Sequence, residues 1–313
     1  MSDEIGSENV FFILGSPRSG TTLLQLMLSQ APGVHVPNET KFMNRVYRQA
    51  RKFGPIQSDA GWANAVEAVV ARNREGEFPA DGDELRSHLM SLEERSYPSL
   101  LLAWLKFCAP EGPVTHFGEK TPEHTREALR LAEFFPRAKF LLILRDPRDV
   151  ALSQIKAFDR RSLLFSAVRW NVDQRYWFDK ASQVLGDARC MTVRYEELVA
   201  APGSILPSVA TFLGIPFDEA MLDPSQRQSR GFSEKEVHKL GTLGKVSISS
   251  VGNYKEKLPA DDVDMIQFIC GRRMKKLGYR LEERRMLNGF IQTLRSFPKA
   301  YFKRRRAIRE VFR

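Results

Sequence analysis

Near its start the chain runs Val10-Phe11-Phe12-Ile13-Leu14, then Gly15-Ser16-Pro17-Arg18-Ser19-Gly20-Thr21-Thr22, then a further stretch from Leu23 to Gln30. Five apolar residues without alternation predict a short strand covered on both faces. The glycines bounding the next segment let backbone N–H groups turn inward. The helix expected from Thr21 aims its positive end at the same point. A strand, an anion loop and a helix in this order commit the chain to an α/β fold: a P-loop-like three-layer arrangement with a central parallel sheet flanked by helices. In isolation the loop also reads as a plain Gly/Pro/Ser turn leading into a helix.

The loop departs from the one that holds nucleoside triphosphates. That motif, G-x-x-x-x-G-K-[ST], uses its Lys to neutralise the β/γ phosphates and its hydroxyl to hold Mg²⁺. Here Gly15 and Gly20 keep the spacing, but Thr21 stands in the Lys position and Arg18 is the loop's one cation. A triphosphate would be under-neutralised, which weighs against a P-loop nucleotide kinase or ATPase. A shorter 5′-phosphate group matches the charge better.

Two later segments add to the site. Thr115 to Pro122 reads as a short strand ending in a turn, and Pro122 opens the helix after it. Lys120 is thus at the strand end where α/β sheets place ligands. Lys139 to Leu144 is the clearest buried strand. Arg145-Asp146-Pro147-Arg148-Asp149 follows, with Asp146 suited to the N-cap and Pro147 to the first helical turn. Arg145 at the strand end and Ser153 on the helix make a second anion site, a fixed cation beside a hydroxyl. Arg148 reads as an ion-pair partner for Asp146 or Asp149. Two anion sites on two strand ends are far more specific than either alone. Cys108, Cys190 and Cys270 are widely spaced, so neither a disulfide framework nor a metal site is expected.

Gly-Ser-Pro-Arg-Ser-Gly-Thr-Thr-Leu-Leu resembles the 5′-phosphosulfate loop of sulfotransferases that use 3′-phosphoadenosine 5′-phosphosulfate (PAPS), most nearly the tyrosylprotein and bacterial branches. Asn38-Glu39-Thr40-Lys41 is similar to the tyrosylprotein branch as well, in which a Glu before Thr-Arg is the general base. The resemblance implies that Arg18, Ser19, Gly20, Thr21 and Thr22 hold the 5′-phosphosulfate, and that Arg145 and Ser153 hold the 3′-phosphate. It implies further that Tyr195, in Val-Arg-Tyr-Glu-Glu-Leu, contacts the nucleotide, and that Lys120 contacts the transferring group. Ser249-Ser250-Val251-Gly252-Asn253-Tyr254-Lys255 resembles the family's late loop over the 3′-phosphate, with Ser249 as its candidate. The Arg-Lys pair that precedes this loop in cytosolic members is absent, leaving Lys245 or a serine to substitute. Glu39 is the expected base, since it follows the loop–helix unit after a short Val34-His35-Val36 segment; His35 and His116 compete for the role. PAPS is then the co-substrate, no metal is needed, and the partner is a hydroxyl-bearing acceptor: a small molecule, lipid or sugar sooner than a protein tyrosine.

Between the motifs, helices are expected over Trp62 to Arg72, over Glu84 to Arg95 with Asp83 as N-cap, and over Ser162 to Leu185. Leu222 to Pro259 loses periodicity and reads as a functional loop. Residues 1–280 are expected to form the sulfotransferase domain and 281–313 a basic, aromatic tail. Of the formal net charge of +10, residues 284–313 supply +9, with ten Lys/Arg against one acid, Glu310. The charge therefore does not argue for nucleic-acid binding by the core. Its interleaved Phe290, Leu294, Phe297, Tyr301 and Phe302 match an interfacial helix on an anionic membrane surface; a helix packed on the core and a partly disordered end are the other readings. A non-catalytic membrane-binding module would use this tail alone. No run of 18 apolar residues occurs. The acidic, polar start is unlike a signal peptide, so the expected location is cytoplasmic, peripheral to a membrane if the tail binds lipid.

Overall fold

The first strand, β1 (Val10–Leu14), divides its side chains between two cores. Val10, Phe12 and Leu14 belong to one apolar cluster, while Phe11 and Ile13 belong to another on the opposite face. The two-residue period of a strand thus explains a run of five apolar residues: both faces are covered. This computed structural model describes residues 9–75, 78, 80–157, 163–223, 248–283 and 287–296.

Five strands form the central sheet: β1, β2 (Val34–His35), β3 (His116–Lys120), β4 (Lys139–Leu144) and β5 (Cys190–Arg194). Their order is β2-β3-β1-β4-β5 and every pairing is parallel. Helices Asp59–Glu75, Gly82–Met90 and Tyr97–Phe107 cover one face; Thr21–Leu28, Tyr195–Ala200 and Pro202–Leu213 cover the other. The expected three-layer architecture is therefore present. A third cluster gathers Pro147–Ala157, Leu163–Tyr176 and Ala260–Lys276 around Trp170 and Ile266 beyond the β4 end. Since β3 and β4 flank β1 on opposite sides, the chain reverses direction across the sheet at the C-terminal end of β1. That is the crevice where open parallel sheets bind ligands.

Local details differ from expectation. Asp81, not Asp83, caps Gly82–Met90, accepting from the N–H groups of Asp83 (2.8 Å) and Glu84 (3.0 Å); two acids two residues apart both suit an N-cap. The helix after Leu163 passes through a π turn at Trp177–Ala181. The segment after Pro122 begins as a 3₁₀ helix, Pro122–Glu127, before Ala128–Phe134. Residues 287–296 form a helix packed on Ala260–Lys276. Asn288 donates to Asp261 and Asp264, and a Cβ at Gly289 would lie 2.6 Å from the Asp264 carbonyl oxygen. Of the late loop, Gly231, Gly241, Gly244, Lys245 and Ser247 lie outside the described residues, as do tail positions 297–313.

Candidate active site

The loop after β1 is built for close approach. Gly15 (φ +152°) has the Ile143 carbonyl oxygen 2.8 Å from where a Cβ would stand, and its N–H donates to Thr125 Oγ1 at 2.9 Å. Ser16 Oγ donates to Asp173 Oδ2 (3.1 Å), anchoring the loop to the helix Leu163–Tyr176. Asp173 lies between Arg126 Nε and Arg169 Nε, each at 3.4 Å. Burial pushes its carboxyl up against the pull of both arginines. Gly20 is the left-handed N-cap of Thr21–Leu28 (φ +103°) and supplies no side-chain cap. The first N–H groups of that helix, at Thr21 and Thr22, are thereby left for an anion. Ser19 is fully buried, yet its hydroxyl finds no hydrogen-bond partner.

On the neighbouring strand ends, Arg145 and Tyr195 close the other side. The Arg145 guanidinium lies 4.1 Å over the Tyr195 ring, a cation–π stack. Arg145 Nη1 donates to the Arg18 carbonyl oxygen (3.1 Å) and Nη2 to that of Ser250 (2.8 Å), while its buried Nε has no hydrogen-bond partner. Tyr195 Oη bonds Ser250 Oγ at 2.6 Å, and the ring packs so tightly on Gly20 that a Cβ there would meet it at 2.3 Å. Ser249 is exposed; Ser250, one residue on in the same irregular turn, makes these contacts.

Arg18 bridges the loop after β1 and the residues that follow β4. Its backbone is left-handed (φ +75°) and its Nε donates to Ser153 Oγ at 3.2 Å. Burial and the field of Arg145 lower the guanidinium's pKa, with Glu39 opposing. Arg18 therefore lies within electrostatic reach of both the Arg145 side and Glu39, where the sequence assigned it to the phosphosulfate end alone.

The second motif also secures the late loop. Arg148 pairs with Asp146 (Nη2–Oδ2 2.6 Å) and stacks 4.0 Å over Tyr254. Asp149 accepts from the N–H groups of Gly252 (2.7 Å) and Tyr254 (3.0 Å). Of the four charged residues, Arg145 alone turns toward the loop Gly15–Gly20.

Glu39 follows β2 and meets Lys120 at the end of β3: Lys120 Nζ donates to Glu39 Oε1 at 2.8 Å. Lys120 is 1% exposed, so the pair is shielded from solvent on the lysine side. The competing histidines are placed elsewhere. His116 is the first residue of β3, four positions from Lys120, roughly 13 Å at the usual rise per residue. Burial and Lys139 lower its pKa. His35 pairs in register with Phe117, at the same remote end. Glu119 was not visible as a site residue from sequence. It is fully buried behind Lys120 and binds Thr40, Thr121 and His124; an acid inside a buried strand is the signal that could have found it. Among the described residues, no cluster of three or more His, Cys, Asp or Glu could hold a metal ion, and no helix is long and apolar enough to cross a membrane.

Buried polar groups without partners, Ser19 Oγ and Arg145 Nε, thus stand at the switch point of a parallel sheet with an acid–lysine pair beside them, and together they make one candidate site. The profile of the sulfotransferase family matches residues 11–219, and the chain belongs to that family. It is 25% identical over 276 residues to protein-tyrosine sulfotransferase A of Caenorhabditis elegans, covering 86% of this chain and 66% of that one. Protein-tyrosine sulfotransferase 1 of Danio rerio is 26% identical over 284 residues, with 86% and 72% covered. The Drosophila melanogaster protein-tyrosine sulfotransferase is covered over only 48% of its length, so the chain spans about half to three-quarters of these relatives. Among solved structures, the sulfotransferase domain of the Synechococcus PCC 7002 olefin synthase superposes with a TM-score of 0.66 at 22% identity, covering 90% of this chain and 99% of that domain. The domain from the curacin biosynthetic pathway gives 0.52 at 20% identity, covering 93% and 96%. Both likenesses concern the fold.

Proposed function

We propose that the chain is an enzyme that moves a sulfonate group from PAPS to an acceptor hydroxyl, with Glu39 as the general base. The observation that carries this reading is the contact of Glu39 with Lys120 at the mouth of the loop that presents Arg18. Base and cations thus converge on one point. The fit to the donor rests on three features: the buried, unpartnered Ser19 hydroxyl, the unpartnered Arg145 Nε, and the uncapped helix start at Thr21 and Thr22. Two buried polar groups without partners are what an arriving phosphate would satisfy. PAPS supplies a sulfonate already activated by its anhydride bond to phosphate.

The chain's own residues then have separable tasks. Ser19, Gly20, Thr21 and Thr22 bind the 5′ end, while Arg145, Ser153 and Tyr195 hold the 3′-phosphate with Ser249 or Ser250. Arg18 and Lys120 offset charge that grows on the leaving phosphate, an effect worth about 3 kcal/mol for one donor by analogy with oxyanion holes. Glu39 takes the acceptor's proton, for which Lys120 must shift from the carboxylate toward the transferring group. No metal is required by this scheme.

A small alcohol, sugar or lipid is favoured as acceptor over a protein tyrosine. The tail suggests an amphiphilic one: the helix over 287–296 leaves Leu287 and Leu294 exposed beside a strongly basic segment. Contact with an anionic membrane surface from the cytoplasmic side is part of the proposal. Calorimetry with the desulfonated nucleotide PAP, set against ATP with Mg²⁺, tests the donor. Glu39→Gln should lower turnover about 10²-fold with PAP affinity retained. Preference for ATP would favour a kinase, and wild-type turnover in the variant would remove Glu39 as base.

A further inference from the structure

The segment from Glu39 to Met43 carries the base, and regular structure begins only at its end, in the short helix Phe42–Arg45. Lys41 adopts a left-handed backbone (φ +52°), uncommon for a side-chain-bearing residue. The local hydrogen bonds show what imposes it. Lys41 N–H donates to Thr121 Oγ1 (3.1 Å), Phe42 N–H to Thr40 Oγ1 (3.2 Å), and Met43 N–H to His124 Nε2 (3.2 Å). Arg72 donates through Nε to the Thr40 carbonyl oxygen (3.0 Å) and through Nη2 to that of Glu39.

Three of those four side chains, Thr121, Thr40 and His124, bind one carboxylate. Glu119 Oε1 accepts from Thr40 Oγ1 (2.7 Å) and Thr121 Oγ1 (2.6 Å), and Oε2 lies 2.9 Å from His124 Nδ1. With Met43 N–H donating to Nε2, the His124 proton sits on Nδ1 and points at Glu119. Glu119, Thr40, Thr121 and His124 are all fully buried. Strand alternation turns Glu119 away from the side on which its neighbour Lys120 meets Glu39.

We propose that Glu119 is a positioning residue: its buried carboxylate holds Thr40, Thr121 and His124 so that the Glu39 carboxylate stands opposite Lys120 for proton removal. The inference rests on the reading of Glu39 as base. A carboxylate suits the task because three donors converge on its two oxygens. A glutamine of the same shape keeps one acceptor oxygen and turns its NH₂ on a donor, either His124 Nδ1–H or the two hydroxyls. The Glu39 turn would then lose one anchor, and a displacement on the order of 1 Å costs about 10²-fold in rate.

The test uses the full chain, with [³⁵S]PAPS and the acceptor fraction of a host extract as probe, and PAP calorimetry alongside. Glu119→Gln is expected to lower kcat at least about tenfold while PAP affinity stays within about twofold. Thr121→Val is expected to do the same more mildly, and Thr121→Ser to recover most of the loss. In the Glu39→Gln background, Glu119→Gln should cost almost nothing further, because its effect passes through the missing base. Wild-type kcat in Glu119→Gln beside a slow Glu39→Gln overturns the inference and leaves the base reading intact. Wild-type kcat in Glu39→Gln overturns the base reading, and the inference with it. Parallel loss of kcat and PAP affinity, or full additivity in the double variant, marks a general structural role and also overturns it. Should Glu119→Gln not fold, the Thr121→Val and Thr121→Ser pair decides by the same criteria.

Discussion

Gly20 and Tyr195 form a pair whose fit can be tested by removing either side. In Gly20→Ala the new Cβ would stand 2.3 Å from Tyr195 Cδ2 and 2.7 Å from Cε2, against an ordinary contact of about 3.5–4.0 Å. The ring must move by more than about 1 Å. Such a shift disrupts its stack with Arg145 at 4.1 Å and its hydroxyl bond to Ser250 at 2.6 Å. The stack is worth about 0.5–2 kcal/mol and the hydrogen bond about 1 kcal/mol. Alanine at φ +103° adds about 1–2 kcal/mol of backbone cost. Gly20→Ala alone should therefore cost about 2.5–5 kcal/mol. With Tyr195→Ala already in place, only the backbone cost remains, about 1–2 kcal/mol. The coupling of about 1.5–3 kcal/mol is measurable in a double-mutant cycle by denaturant unfolding, with PAP calorimetry reporting the same sign. An equal cost of Gly20→Ala in both backgrounds would show that the ring does not restrict this position, and the reasoning would fail.

Arg145→Ala should weaken PAP binding by about 10–100-fold, the loss of a charge-assisted contact worth about 1.5–3 kcal/mol, while Lys120→Ala should leave it nearly unchanged and lower kcat; calorimetry and steady-state rates separate the two. Glu119 is held below its ordinary 4.5, since His124, Thr121 and Thr40 outweigh the upward push of burial. Its contribution to stability is thus fully present above pH 4.5 and is lost as pH falls through the lower folded value, so the melting-temperature gap between wild type and Glu119→Gln should narrow from about pH 7 to about pH 3.5. Burial pushes the Cys108 thiol up to about 12 and Cys190 up to about 11. Iodoacetamide at neutral pH should accordingly leave the folded protein unlabelled at both and label it after unfolding, as followed by mass spectrometry.

The sheet and the anion loop were legible because their signals are local. An unbroken apolar run, a glycine pair at fixed spacing and an arginine at a strand end each carry their structural consequence within a few residues. Arg145 and Tyr195 stand side by side after β4 and β5 for that reason, and Glu39 reaches Lys120 although they lie 81 positions apart. What escaped was set by long-range packing. Ser249 and Ser250 are equivalent in sequence, and the choice between them depends on the rotation of an irregular turn over Tyr195. Glu119 reads like any solvated acid until its strand is known to be covered on both sides. The link from Arg18 to Ser153 joins residues 135 positions apart through side chains alone, with no periodic pattern to announce it.

The anchoring of the late segments bears on where this protein can be shortened. Arg148 Nη2 donates to the Arg280 carbonyl oxygen (2.9 Å), and Tyr254 Oη donates to Glu282 (2.8 Å). The Tyr254 N–H in turn donates to Asp149, and the Ser250 carbonyl oxygen accepts from Arg145. A cut near residue 280 would thus unfasten the turn that contacts Arg145 and Tyr195 as well as delete the basic end. Any comparison of lipid affinity between long and short forms should end the short form at Ser296, or weaker donor binding will be mistaken for a membrane effect.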